Sequence, residues 1–454
     1  MLAAPLPAAA QSLPEVVQAI EKARVPTRIL YVTAHPDDET AGLLAYLSRG
    51  LYADVAILTI TRGQGGQNAI GPEQDGPLGV IRTTELLAAD QHYGVHQFFT
   101  RAVDPGFSKS PQRTMKIWGD KIPLEDMVRV IRMYRPGVVI NGWGGVHFGH
   151  GQHQASGLLT PEAIADAADP TKFPEQIGGA VRAWKVKLEL RPASFGFGPA
   201  ATKPIPGAVQ LPINDVSQIW GKSYVEMGMA GHAQHRSQGT PSFSNNPFFR
   251  RPVSLIQEHG QEGGGGFDVK LLAEPLTSIA EQFPDMQAAM APSLQAADKD
   301  LESAAKLALD ANRDAAAKSL ANAGKEIATL RQQISSATSR QHFPAMWELD
   351  QLRDKIDKAL AEDVALPVDI QASRHELVAG ESFSVNVNFL DKPALPVEWT
   401  VDKSSLLLPQ GWTATLDAAK DRSTSYHFNV TVPAGATAPS SPADAVLPFP
   451  PPLV

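Results

Sequence analysis

The chain has 454 residues, of which 43% are hydrophobic and 19% charged, so it is long enough for two to four units with ample core and is not largely disordered. A formal net charge of −8 and the absence of a basic cluster argue against nucleic acid or an anionic membrane as a partner. The absence of cysteine excludes disulfides, thiolate metal sites and cysteine nucleophiles, and no apolar run has the length of a transmembrane helix.

The first residues, MLAAPLPAAAQSLPE, end in the small-residue pattern of a secretory signal but lack its basic start and long apolar core. We interpret residues 1–12 as the remnant of a signal peptide. This predicts an extracytoplasmic protein, periplasmic or secreted. If the remnant is not a signal, the expected location is cytoplasmic.

Residues 25–285 are predicted to form an α/β domain. Apolar runs such as RILYV, ADVAILTI and GVVINGW alternate with helix-like segments such as LGVIRTTELLAADQHYG and LEDMVRVIRMYRP. Uninterrupted β-branched strands between helices are typical of a parallel sheet covered on both faces. We therefore expect a Rossmann-like, mostly parallel sheet with helices on both sides.

Two further regions are predicted after this domain. Residues 290–363 are rich in Ala, Lys, Glu, Gln and Leu, and their leucines fall at helical spacing, which predicts a helical region. Residues 366–435 contain alternating patterns such as FSVNVNF and YHFNV, typical of half-buried strands in a small β-sandwich. About 70 residues is short for a sandwich, so the domain could be truncated. Residues 436–454 form a Pro-rich tail.

The segment VTAHPDDET follows the strand-like run RILYV directly. Two interpretations stay open from this segment alone. It is typical of a helix N-terminus in which Pro36 takes the first helical position and the acids face the positive end of the dipole. It is also typical of a metal site, because His35 and Asp38 are three residues apart and point the same way at a strand-to-helix turn.

A second cluster, GGVHFGHGQHQASG, follows the strand-like run GVVINGW and supplies His147, His150 and His153. The last two repeat the spacing of His35 and Asp38. Both clusters come directly after the C-terminal end of a predicted parallel strand, where open α/β sheets bind their ligands. The two loops are therefore predicted to build one site.

Two histidines and one carboxylate are typical of a catalytic zinc site, since they leave a position open. Water in that position has a pKa lowered from about 15.7 toward 7. Asp37, next to the ligand Asp38, would then be the general base. Iron(II) accepts the same ligands, so the metal stays open between Zn²⁺ and Fe²⁺.

AHPDDE followed by HGQH resembles the PIG-L/LmbE family of zinc-dependent de-N-acetylases, which act on N-acetylglucosaminyl lipids and related sugar conjugates. The resemblance covers roughly residues 27–240. The family usually has H-P-D-H or similar at the second motif, and HGQH keeps both histidines. TRGQGG, IRTTE and VDPGF also look like family segments. The implied metal ligands are His35, Asp38 and His153, the implied catalytic residues are Asp37 as base and His150 as the group that stabilises the oxyanion or protonates the leaving amine, and the implied substrate-binding residues are Arg82 and Asp104.

Several of these residues also have a plain structural interpretation. Arg82 with Glu85 could be a surface ion pair of small energetic value, and Asp104 precedes Pro105-Gly106 as a turn former would. The segment GHAQHRSQG repeats the three-residue histidine spacing, but no carboxylate adjoins it. We expect this segment to be a substrate-facing lid or a polar helix end.

The function predicted from these residues and the resemblance is a zinc-dependent N-deacetylase. It would remove an N-acetyl group from an amino-sugar conjugate of the N-acetylglucosamine type by means of a zinc-activated water. The substrate would be a small molecule or a glycan. The alternative is an extracytoplasmic carbohydrate-binding protein with a vestigial metal site. A nucleotide-binding oxidoreductase is not expected, because no G-x-G-x-x-G follows the first strand.

Overall fold

The structure, a computed structural model, describes residues 12–119, 121–144, 149–178, 181–193, 205–243, 250–259, 266–336, 343–364, 368–374, 378–389, 408, 411–417 and 425–435. All but the last residue of the predicted signal remnant, and the whole Pro-rich tail, lie outside these residues, so the extracytoplasmic location stays a prediction. Among the described residues no helix is both long and apolar enough to cross a bilayer.

The described residues divide into two compact units. One is Val25–Ile279, and the other is Ala280–Ser441 together with the N-terminal helix. The bounds predicted from sequence for the individual domains stay predictions. The helices are α1 (Leu13–Arg24), α2 (Ala41–Ala45), α3 (Asp75–Tyr93), α4 (Pro111–Trp118), α5 (Ile122–Tyr134), α6 (Gly151–Ala168), α7 (Tyr224–His232), α8 (Ser278–Glu281), α9 (Gln287–Leu309), α10 (Arg313–Ser336) and α11 (Phe343–Val364).

The Val25–Ile279 unit contains a seven-stranded sheet in the order β3-β2-β1-β4-β5-β7-β6. The first five strands in this order are parallel to one another, and β7 then pairs antiparallel with both β5 and β6. The parallel sheet predicted from the alternating pattern is thus confirmed. Its strands are β1 (Arg28–Thr33), β2 (Asp54–Thr59), β3 (His96–Phe99), β4 (Val138–Asn141), β5 (Leu188–Pro192), β6 (Val209–Leu211) and β7 (Val253–His259).

Strand β1 is buried on both faces, which explains why its sequence is apolar without a break. Ile29 and Tyr31 pack into a core that includes leucines of α2, while Leu30 and Val32 pack into a second core formed with α5 and α6. Strand β1 pairs with β4 from Ile29 opposite Val138 onward. The carboxyl ends of these two strands therefore lie side by side, and so do the loops that follow them.

The second unit contains the helical region predicted from sequence. Helix α1 packs with α9 and α11, and α10 packs with α9 and α11. The C-terminal strands form one antiparallel sheet in the order β10-β11-β9-β8, with the predicted alternating apolar residues of β9 and β11 in its core. A second layer, as a sandwich would need, is not found among the described residues. These strands are β8 (Val368–Ala372), β9 (Ser382–Phe389), β10 (Thr413–Leu416) and β11 (Ser425–Thr431).

Helix α3 carries a buried carboxyl group that predicts a pH-dependent stability. Asp90 is 4% exposed, and neither oxygen of its carboxyl group has a hydrogen-bond partner among the described residues. Burial, reinforced by the charge of Glu39, raises the pKa of Asp90 well above its ordinary value. Because the folded pKa exceeds the unfolded one, the free energy of unfolding falls as pH rises from the unfolded toward the folded pKa, by about 1.4 kcal/mol for each pH unit.

Asp90→Asn should abolish this dependence. We expect the variant to be more stable than the parent chain at pH 8 by at least about 1 kcal/mol, since an amide has no charge to bury. The advantage should shrink as the pH is lowered toward 4. Urea unfolding at several pH values measures it. An advantage that is the same at all pH values would show that Asp90 does not titrate differently in the folded chain.

Candidate metal and active site

The loop after β1 is a turn and not the start of a helix. Helix α2 begins only at Ala41, and Asp37 has a backbone φ of 95°, outside the right-handed helical region. The interpretation of HPDDE as a helix N-terminus with Pro36 in the first helical position is therefore wrong.

Asp38 is the residue at which the two predicted loops meet. Its Oδ2 lies 3.0 Å from Nδ1 of His35, and its Oδ1 lies 3.2 Å from Nε2 of His153. The backbone N–H of His35 also donates to Oδ2 at 2.8 Å. One carboxylate thus joins a ligand candidate from the loop after β1 to another from the loop after β4.

Three histidines surround this carboxylate. His150 is the residue before α6, His153 is in its first turn, and their rings stack at 3.8 Å. The ring of His35 lies 5.5 Å from that of His150 and 5.3 Å from that of His153. These three side chains offer nitrogen atoms within 4.8 Å of one another, as a shared metal ion requires. His147 lies outside the described residues.

The two neighbouring aspartates have opposite electrostatic environments. Burial raises the pKa of Asp37 to about 7 against the opposing charge of Arg82. Burial also acts to raise the pKa of Asp38, but the neighbouring His153 and His35 outweigh it and hold this pKa well below its usual range. Adjacent acids whose pKa values are pushed apart in this way are typical of a pair with different roles, one remaining charged and one exchanging a proton.

Arg82 contacts the first motif from α3. Its Nη2 donates to Oδ1 of Asp37 at 2.8 Å and to the carbonyl of Pro36 at 2.6 Å, and its Nη1 donates to the carbonyl of Gly63 at 3.0 Å. A Cβ at Gly63 or Gly66 would lie about 2.5 Å or less from this guanidinium, so TRGQGG needs glycine at both positions. The side chain is 4% exposed and is not a surface ion pair with Glu85. Its predicted contact with substrate stays a prediction.

Asp104 lies on the other side of His35. Its Oδ2 is 3.9 Å from Nε2 of His35, while its Oδ1 accepts from the backbone N–H of Gly106 at 3.0 Å. Gln152 also approaches Oδ1, at 3.4 Å. The carboxylate therefore fixes its own turn, as expected of Asp before Pro-Gly, and adjoins the histidine cluster. Its binding of sugar hydroxyls stays a prediction.

Sequence reasoning did not single out two aromatic residues beside the histidines. The indole of Trp143 stacks on His153 with ring centroids 3.6 Å apart and an interplanar angle of 6°. Phe107 is 71% exposed and meets His150 edge-on at 5.4 Å. Trp143 lies in INGWGG, just after the end of β4, and Phe107 lies in VDPGF with Asp104. Proximity to a strand end for the first, and to a candidate site residue for the second, is the signal that could have identified them.

The segment GHAQH is not a lid. His232 ends α7, as one of the two expectations had it, but it is only 5% exposed, and His235 is fully buried. Nε2 of His235 lies 2.6 Å from Oε1 of Glu39, the last acid of the first motif. Burial would raise the pKa of Glu39, but the charge of His235 lowers it to about 2. Residues almost 200 positions apart therefore support the same loop.

A comparison with known protein families gives a match over the part of the chain that holds this site. Residues 30–164, which include all seven predicted site residues, match the family described as PIG-L: GlcNAc-PI de-N-acetylase. The resemblance carried by AHPDDE and HGQH is thereby confirmed.

Curated relatives match the N-terminal part of the chain. A 1D-myo-inositol 2-acetamido-2-deoxy-alpha-D-glucopyranoside deacetylase of Corynebacterium urealyticum is 32% identical over 165 residues, 32% of this chain and 49% of that protein. A protein of the same name from Streptomyces griseus is 28% identical over 259 residues, 51% of this chain and 79% of that protein. A mycothiol S-conjugate amidase of Streptomyces coelicolor is 30% identical over 185 residues, 35% of this chain and 59% of that protein. The chain spans about half the length of the first of these curated relatives.

Among solved structures, N,N'-diacetylchitobiose deacetylase from Pyrococcus horikoshii is similar, with 15% identity and a TM-score of 0.37. The match covers 52% of this chain and 84% of that one. The 4-carboxy-2-hydroxymuconate hydratase GalB from Pseudomonas putida matches with 16% identity and a TM-score of 0.36, over 53% of this chain and 99% of that one.

Proposed function

We propose that the protein is a metal-dependent hydrolase that removes the N-acetyl group from an amino-sugar conjugate of the N-acetylglucosamine type. The observation that carries this proposal is the convergence of two loops on Asp38, which lies 3.0 Å from His35 and 3.2 Å from His153. The partly exposed Asp37 adjoins it in the chain. A carbohydrate-binding protein has no need of a second acid with a pKa near neutrality beside a ligand set.

The residues present fit a divalent metal. A buried carboxylate flanked by two imidazole nitrogens is a donor set suited to zinc, and iron(II) accepts it as well. A metal bound there lowers the pKa of a coordinated water toward 7 and polarises a carbonyl oxygen. The ligands would be His35, Asp38 and His153. Indole stacking by Trp143 holds the plane of His153, so this ring needs little reorganisation to bind.

Asp37 and His150 would perform the proton transfer and charge stabilisation. Asp37 accepts a proton from the attacking water, and its side chain, 26% exposed, can be reached from the solvent side. His150 lies beside the ligand His153 and donates a hydrogen bond to the oxygen that becomes negative as the amide carbon turns tetrahedral. The amine leaves after it is protonated, and acetate is the second product.

The substrate class rests on the curated relatives, several of which are named as deacetylases of an N-acetylglucosamine-type inositol conjugate.

The test combines metal analysis with acetate release. Purified full-length protein should contain about one divalent ion per chain and release acetate from at least one member of a panel of N-acetylglucosamine, its methyl glycosides and N-acetylglucosaminyl-inositol. A chelator should abolish the release, and added Zn²⁺ or Fe²⁺ should restore it. A chain that holds no metal, releases no acetate and still retains glycans would favour the carbohydrate-binding alternative and end this proposal.

A further inference from the structure

The backbone of Asp37 is held in a conformation that its side chain disfavours. Its φ of 95° lies in the left-handed half of the map, which residues other than glycine adopt uncommonly. Such a conformation persists only where the surroundings impose it. The groups that contact the Asp37 peptide units identify what imposes it here.

Both peptide groups of Asp37 are bound by side chains. Its N–H donates to Oε2 of Glu39 at 2.9 Å, and Nε2 of His232 donates to its carbonyl at 3.3 Å. The other oxygen of Glu39 accepts from the hydroxyl of Tyr93 at 2.9 Å and from Nε2 of His235 at 2.6 Å. We call Glu39, Tyr93, His232 and His235 the Asp37 clamp.

The clamp is buried, and further hydrogen bonds hold its two histidines in place. The side chains of Glu39 and His235 are both fully buried. The hydroxyl of Thr240 donates to the carbonyls of His232 and His235, at 2.6 and 2.9 Å. A carboxylate that accepts three hydrogen bonds in a dry site has little freedom to move, because any displacement leaves a buried donor unpaired.

Helix α7 can bring its histidines to the motif only because two glycines face the neighbouring helices. A Cβ at Gly228 would lie 2.5 Å from the backbone of α2, and a Cβ at Gly231 would lie 2.4 Å from the ring of Tyr93. The sequence YVEMGMAGHAQH therefore combines a close-packing face with the two histidines that follow it. This arrangement explains why the segment resembles a metal motif without adjoining the metal ligands.

We propose that Glu39, supported by Tyr93, His232 and His235, is a positioning residue that holds Asp37 in its left-handed conformation and so fixes the carboxylate of the base. The role of Asp37 as a base in this inference rests on the proposed function, whereas the hydrogen bonds of the clamp do not depend on it. Glu39 acts through the peptide N–H of Asp37 and touches no reacting atom. The conformation also explains how two successive aspartates can take different partners, Arg82 for the first and two histidines for the second.

The kinetic test is a double-mutant cycle between Glu39→Gln and Asp37→Asn. Glu39→Gln should lower kcat by about 10- to 100-fold, because a displaced base loses alignment with its proton donor, with KM and metal content unchanged. In the Asp37→Asn background the same change should have almost no further effect. An equal loss in both backgrounds, or no loss in either, would overturn the proposal.

The matched control is Asp126→Asn, which also neutralises a buried carboxylate of the same unit. Asp126 is 0% exposed and accepts from the backbone and side chain of Arg101 at 2.7 and 2.9 Å. This variant should lose stability and keep its kcat. If Glu39→Gln does not fold, Tyr93→Phe takes its place, since it deletes a single hydrogen bond to Glu39 and should give a smaller drop in kcat, again absent with Asp37→Asn.

Hydrogen exchange separates the clamp from the proposed function. In Glu39→Ala the peptide containing the Asp37 amide should exchange at least about 10-fold faster than in the parent chain, because that N–H loses its acceptor, while Asp126→Asn should leave it unchanged. This readout needs no turnover. A parent chain without deacetylase activity but with this response would refute the function and keep the clamp, whereas an active chain without the response would refute the clamp alone.

Discussion

Asp37→Asn is expected to lower kcat by about 10²–10⁴-fold, the usual contribution of a general base, while the metal content stays at the level of the parent chain. Asparagine is close to isosteric and is among the few residues that tolerate a positive φ, so the variant should keep the turn at 95°. In the parent chain Arg82 donates to Oδ1 of Asp37 at 2.8 Å, and the amide oxygen of asparagine can still accept this hydrogen bond. Only the ability to take a proton is removed.

The contrast with Asp38→Asn makes this prediction specific. Asp38 is the carboxylate between His35 and His153, so its neutralisation should lower metal affinity first and activity as a consequence. Elemental analysis after dialysis and acetate release at saturating substrate distinguish the two variants. Metal loss in Asp37→Asn, or full activity in both variants, would contradict the division of roles between the two acids.

His153→Ala is expected to lose the metal, whereas His150→Ala is expected to keep it. His153 lies 3.2 Å from the Asp38 carboxylate, which also contacts His35, while His150 stacks on the His153 ring. Loss of a hydrogen-bonding neighbour of a metal site costs about 10- to 100-fold in affinity or activity. Removal of a ligand itself should exceed that, so His153→Ala should be nearly metal-free after dialysis.

His150→Ala should retain a full equivalent of metal and lose about 100-fold or more in kcat, as expected when an oxyanion donor is removed. His96→Ala is the matched control, because that imidazole is 53% exposed on β3 and should affect neither property. The opposite result, loss of metal from His150→Ala, would identify a different set of ligands. Since His35, His150 and His153 can share one ion, metal loss from His150→Ala would favour a three-histidine ligand set.

The meeting of the two motifs could be predicted from local patterns. Each motif follows a strand whose burial on both faces makes it uniformly apolar, and parallel strands place their following loops at one edge of the sheet. The pairing of β1 with β4 then brings His35 and His153 together across more than a hundred residues. Strands β5, β7 and β6 were not predicted, because they lie in a region rich in Pro, Gly and Ser, and the edge strand β6 has only three residues.

The sequence by itself determined the parallel α/β sheet, the helical region, the alternating C-terminal strands and the seven candidate residues of the site, because each of these depends on the spacing of residues near one another in the chain. Only the tertiary structure decided what surrounds them. It showed that HPDDE is a strained turn, that Arg82 is bound to Asp37, and that GHAQH is buried behind Glu39. The physical reason is that backbone strain and buried hydrogen bonds depend on partners from distant segments, and a local pattern carries no information about which partner will arrive.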